Sequence, residues 1–142
     1  MNIQGISHIT LICQNLHKSS RLLCDLLGAV EVYSSDDVLF SLANEKFLLL
    51  GDLWIALMEG IPPNRSYQHI AFQIREEDFA SFEAKIASLG LEQRPSRPRH
   101  PQEGRSIYFY DEDHHLFELH TGTLSERLDY YRSFPRDPSC SK

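Results

Sequence analysis

A chain of 142 residues supports one ordinary domain, long enough for a shared core but too short for two independent ones. Its formal charge of -6 argues against nucleic acid or a membrane surface as partner, because both recruit a basic face. No run approaches the ~20 apolar residues of a membrane span, and the first residues lack the basic flank and apolar stretch of a signal peptide.

A cytoplasmic protein is therefore expected. Cys13, Cys24 and Cys140 are odd in number, widely spaced and in no metal-binding pattern, which suits free thiols and no disulfide.

The first predicted strand is SHITLIC, in which Ile9, Leu11 and Cys13 point one way and His8 and Thr10 the other. Asn15 is the expected N-cap of a helix carrying Leu16, Leu22, Leu23, Leu26 and Leu27, stopped by Gly28. Strand candidates follow at Val30–Tyr33, at Val38–Leu42 with Phe47–Leu50, and at Leu53–Met58.

The order then repeats. QHIAFQI predicts a strand with Ile70, Phe72 and Ile74 opposite His69, and a helix from about Glu77 carries Phe79, Phe82, Ile86 and Leu89 up to Gly90. Between Gln93 and Ser106 lie Arg94, Arg97, Arg99 and Arg105 against the single acid Glu103, a local +3 suited to a small anion.

Strands are predicted at Ser106–Tyr110 and Leu116–His120, joined by a tight turn in which His114 takes a positive φ. Thr123 and Glu126 form a capping box for a last helix to about Ser133, and the residues beyond it read as a frayed tail. His17, His100, His114 and His115 read as surface residues.

The fold class expected is α+β: paired βαβββ modules, about 4–60 and about 66–122, forming a cup-shaped, mostly antiparallel mixed sheet. A C-terminal helix and tail occupy 123–142 of the same single domain.

The duplication also isolates chemistry. His8-Ile9 recurs as His69-Ile70, 61 positions later, and LWIALMEG recurs as HLFELHTG with Glu118 where the first copy has Ala56. A lone glutamate reads as an edge-strand residue in water, and a lone strand histidine as a packed one. Two histidines in one repeat slot, joined by a carboxylate on the closing strand, read instead as a metal site with vacant positions. Two imidazoles and a carboxylate suit Mn, Fe, Co, Ni or Zn, and the absence of cysteine ligands argues against a closed structural zinc site. Ala56, with Trp54 on its face, leaves the fourth symmetry position open for substrate. His120 shares the parity of Glu118 and reads equally as an orienting neighbour or as packing.

With these residues in place the chain resembles the vicinal oxygen chelate superfamily, and within it the fosfomycin-resistance proteins of the FosX-type epoxide hydrolases. The resemblance rests on GISHITLI, FSLANEKFLLLGDLWIALMEG, YQHIAFQI, EGRSIYFYD and HLFELHTGTLSERL. It implies a metal on His8, His69 and Glu118, most often Mn(II), with other divalent metals possible and no organic cofactor.

It further implies that fosfomycin, a small phosphonate epoxide, is the substrate, and that Glu45 in NEKF is the general base for the attacking water. Arg127, Ser106, Tyr108, Thr10 and Tyr67 would bind the phosphonate, with Trp54 walling the pocket and Arg97 or Arg105 joining them. A homodimer with sites shared between chains is implied as well.

Two features depart from relatives. The loop RPSRPRHPQEG lacks the lysine that glutathione-dependent relatives use, and His114 replaces a common glycine. Thiol transfer to the epoxide, a non-haem dioxygenase and a drug-binding protein without chemistry remain the alternatives.

Overall fold

The computed structural model describes residues 2–35 and 38–134, so Cys140 and the tail beyond Phe134 lie outside the described residues. Two compact units emerge. One runs to Gln68 and takes in Tyr110–Leu116; the other spans His69–Phe109 and resumes at Phe117.

The first unit begins with β1 (His8–Cys13) and α1 (Leu16–Leu27), continuing through β2 (Val30–Ser34), β3 (Glu45–Leu50) and β4 (Leu53–Glu59). These strands form one sheet in the order β1-β4-β3-β2, with β1 parallel to β4 and the other pairs antiparallel. Helix α1 starts where the Asn15 side chain accepts from the Lys18 amide, and stops at Gly28, whose φ of 75° few other residues adopt.

One face of this sheet is core: Leu11, Cys13, Leu48, Ile55 and Leu57 are buried, as are Leu23 and Leu26 of α1. Lys46 shares that face because its ammonium is neutralised 2.7 Å away by Glu31, which also accepts from the buried Ser20. Cys13 and Cys24 are free thiols.

Val38–Leu42 is not a strand, contrary to expectation. Val38, Leu39, Phe40 and Leu42 are all exposed, and the strand that pairs with Val30–Ser34 is Glu45–Leu50, two residues longer at its start than its sequence pattern suggested. Residues 36 and 37 lie outside the described set.

The second unit repeats the plan. It carries β5 (His69–Gln73), a 3-10 turn at Glu76–Asp78, α2 (Phe79–Ser88), β6 (Gln93–Arg94) and a second 3-10 turn at Pro101–Glu103. Then come β7 (Ser106–Tyr110), β8 (Leu116–His120) and α3 (Leu124–Arg132). Its sheet order, β5-β8-β7-β6, mirrors the first. The two-residue strand β6 falls in what the sequence presents as loop. Phe117 is fully buried between Phe72 and Phe109, with ring centroids at 6.2 and 5.5 Å.

The turn after β7 holds His114 at φ 71°. The neighbouring Asp113 accepts from the Gln14 amide and the Ser19 hydroxyl, so the turn caps the start of α1. His115 is not the surface residue expected: its side chain is 10% exposed and its Nδ1 lies 2.7 Å from Asp111. Helix α3 carries the predicted Thr123–Glu126 capping box. Among the described residues no helix is long and apolar enough to cross a membrane.

Candidate active site

Register decides which side chains share a surface. His8 pairs with Trp54 and Thr10 with Ala56 across β1 and β4, while Ala56 pairs with Phe47 and Met58 with Glu45 across β4 and β3. Directly paired residues lie on the same face of a sheet and alternate along each strand. His8, Thr10, Trp54, Ala56 and Glu45 therefore occupy one face, opposite the core face that packs on α1.

The His8 and Trp54 rings lie 4.3 Å apart, and Trp54 meets Phe47 edge-on at 5.0 Å. The Trp54 indole N–H is buried and, among the described residues, has no hydrogen-bond partner. Glu45 opens β3 and is half-buried; its backbone exchanges two hydrogen bonds with Ser35, one to the side chain and one to the amide.

The second sheet concentrates charge. Glu118 lies in β8, an interior strand between β5 and β7, and is only 5% exposed, so it is no edge residue in water. Its Oε2 is 3.0 Å from His69 Nε2; its Oε1 accepts from Ser106 Oγ at 2.6 Å and from Arg99 Nη2 at 3.2 Å. Burial pushes the carboxyl upward, but the Ser106 and Tyr108 hydroxyls and the Arg99 charge outweigh it and leave it below its ordinary value. Glu118 is therefore an anion at neutral pH.

His120 has a defined task. Its Nδ1 is 3.0 Å from the Arg105 carbonyl, which can only accept, and its Nε2 is 3.1 Å from Arg127 Nη2, which can only donate. The network therefore assigns the neutral tautomer with the proton on Nδ1. Burial lowers its affinity for a second proton, and the Arg127 and Arg99 charges add to this against the pull of Glu118. Nδ1 also lies 2.8 Å from Ser106 Oγ, whose own proton goes to Glu118. Arg127, His120 and Ser106 thus form a directed chain that orients the carboxylate.

A close backbone approach holds this chain in place. A Cβ on Gly104 would come within 2.3 Å of the Gly122 nitrogen, and the Arg105 amide donates to Thr121 Oγ1. Any side chain at Gly104 would push the start of β7, and Ser106 with it, away from His120.

The two arginines expected near an anion line one cavity with Arg99 and Ser106, and each has a carboxylate partner. Arg97 pairs with the buried Glu103 and reaches Tyr131; Arg105 pairs with Glu76 and lies 3.6 Å above the Phe79 ring. Arg99 is the arginine that reaches Glu118, and it also donates to the Tyr108 hydroxyl at 2.8 Å. Nothing in the sequence separates it from its neighbours, because the path of the proline-rich loop decides which side chain turns inward. Tyr67 stands exposed ahead of β5.

His69 and Glu118 suit a cation. Their facing atoms are 3.0 Å apart, about the separation of adjacent ligands around a six-coordinate ion with bonds of ~2.1 Å. An imidazole and a carboxylate are donors that Mn(II), Fe(II) and Zn(II) accept. No cluster of three or more His, Cys, Asp or Glu that could hold a metal occurs among the described residues of the chain.

Residues 5–119 match the model of the glyoxalase/bleomycin resistance protein/dioxygenase superfamily. The chain is 54% identical over 127 residues to the fosfomycin resistance protein FosX of Mesorhizobium japonicum, covering 89% of this chain and 91% of the relative. It is similar to the crystal structure of a mutant of FosX from Listeria monocytogenes complexed with Mn(II) and 1S,2S-dihydroxypropylphosphonic acid. That similarity has a TM-score of 0.85 at 53% identity, covering 90% of this chain and 99% of the other. The metallothiol transferase FosB of Staphylococcus saprophyticus is 38% identical over 135 residues, covering 92% of this chain and 85% of the relative.

Proposed function

The chain belongs to the glyoxalase/bleomycin resistance protein/dioxygenase superfamily, and from that premise we propose that it is a Mn(II)-dependent hydrolase adding water to the epoxide of fosfomycin. The observation that carries this reading is the buried Glu118 carboxylate facing His69 at 3.0 Å, in a chain more than half identical to FosX. Mn(II), when bound, supplies Lewis-acid polarisation of the epoxide. His69 and Glu118 would hold it, with His8 as third ligand.

Glu45 is the general base. It sits on the face that carries His8, Thr10 and Trp54, and it takes a proton from the water that opens the ring, giving a vicinal diol. Thr10, Trp54, Tyr67, Ser106, Tyr108 and Arg127 form the substrate pocket. The protein acts in the cytoplasm as a homodimer in which β1 of one chain supplies His8 to His69 and Glu118 of its partner, and each chain works as one domain of two modules.

Purified protein incubated with fosfomycin and Mn(II) in thiol-free buffer should give the diol by phosphorus NMR. The FosB similarity supports thiol addition as the second reading. Turnover that appears only on adding glutathione, cysteine or a related thiol would replace hydrolysis by that reaction.

A further inference from the structure

The Arg99 side chain is 10% exposed, yet only Nη2 is engaged; Nε and Nη1 are buried and have no partner among the described residues. Two buried nitrogens of a cation, carrying three N–H bonds left without acceptors, are costly. They flank the nitrogen that holds Glu118, so both forks of the guanidinium, side-on and end-on, are half-used. Arg99 and Ser106 are among the residues that line a cavity of roughly 890 Å3, with Arg97, Gly104, Arg105 and Phe79, so a guanidinium that turns away from Glu118 has open space beside it.

Charge arithmetic gives the free edges a purpose. Counted over Glu118 and Arg99 the pair is neutral. A divalent cation on Glu118 brings the count to +2, and a dianion returns it to zero. The two neutral states are Glu118 with Arg99 alone, and Glu118 with cation, Arg99 and dianion together. In the second, Glu118 would serve the cation, and the guanidinium, released from Oε1, would serve the anion with the same planar fork.

We infer that Arg99 is an exchange residue: it neutralises Glu118 until a divalent cation claims the carboxylate, then turns its fork to the substrate's anionic group, so that cation and anion bind cooperatively. The inference rests on the proposed reading for the identity of the anion. By linkage the coupling is reciprocal: each ligand tightens the other by one and the same factor.

The test measures Mn(II) affinity by electron paramagnetic resonance with and without methylphosphonate, an unreactive phosphonate dianion, in the wild-type protein and in Arg99→Met. Wild-type protein should bind Mn(II) at least tenfold more tightly when methylphosphonate is present. Arg99→Met, relieved of its competing guanidinium, should bind Mn(II) alone at least threefold more tightly than wild type. The Mn(II)-loaded variant should hold methylphosphonate at least tenfold more weakly.

An arginine that merely supports the loop would give the opposite sign, with Mn(II) bound equally or more weakly in the variant, and that result overturns the inference. Should Arg99→Met fail to fold, Arg99→Gln, which keeps an uncharged hydrogen-bonding group, decides by the same criteria. Fosfomycin turnover by the wild type is scored separately. Turnover with an unchanged coupling factor in the variant defeats the exchange alone, and no turnover with Arg99-dependent coupling defeats the fosfomycin assignment alone.

Discussion

Glu118 and His69 face each other across neighbouring strands, Oε2 to Nε2 at 3.0 Å, with the carboxylate 5% exposed. Neither side chain has an apolar reason to occupy its position, and both present the atoms a divalent cation takes. Glu118→Gln and His69→Ala should each weaken Mn(II) binding by more than about 100-fold, beyond the 10- to 100-fold typical of residues that only orient ligands. Equilibrium dialysis of Mn(II) against each variant measures it, and near-native affinity in either would remove that residue from the ligand set.

His120 acts on Glu118 through Ser106. His120→Ala should therefore lower Mn(II) affinity by about 10-fold while leaving Glu118 in place. Ser106→Ala should have a similar effect, and the double variant should lose little more than either single one, because both interrupt one chain. Full additivity would show that the two residues act separately.

Glu45 opens β3 on the face shared with His8 and Trp54, on the side away from the core. Glu45→Gly should reduce hydrolysis by about 10^2- to 10^4-fold, the usual contribution of a general base. Mn(II) affinity should stay within threefold of wild type. A fully active variant would assign proton removal to another group.

Glu103 provides the pH dependence. Arg97 above all, then the His100 amide and the Tyr131 hydroxyl, hold its carboxyl down at about 2, from an ordinary 4.5. A carboxylate depressed by folding stabilises the native state above its unfolded value, and that contribution drains away as pH falls from about 4.5 through about 2. The melting temperature of Glu103→Gln should therefore lie below wild type at pH 6, with the gap closing as pH approaches 2. A gap that stays constant over this range would mean that the charge on Glu103 plays no part in stability.

What the sequence discloses depends on how local the cause is. Asn15, Gly28 and the Thr123–Glu126 box set helix ends through bonds spanning three or four residues, and all three act where their pattern placed them. The face of His8 and Thr10 follows from alternation alone. The pairing of Glu118 with His69 is foreshadowed by the repeat, since a duplicated histidine and a carboxylate on a closing strand imply convergence.

Non-local causes stay hidden. Val38–Leu42 has the composition of a strand but stays outside the sheet with its apolar side chains exposed. His115 looks exposed until Asp111 folds onto it. Arg99 differs from Arg97 and Arg105 only through the course of a loop, and the role of His120 depends on an arginine that α3 brings back seven residues later.

On the proposed reading, water, not a thiol, opens the epoxide. A single turnover of fosfomycin in oxygen-18 water with Mn(II), in thiol-free buffer and analysed by mass spectrometry, tests it most directly. The prediction is a diol carrying one heavy oxygen per molecule, formed by the wild-type protein and lost with Glu45→Gly. Unlabelled or unchanged fosfomycin, with product appearing only as a sulfur adduct when a thiol is added, would contradict it.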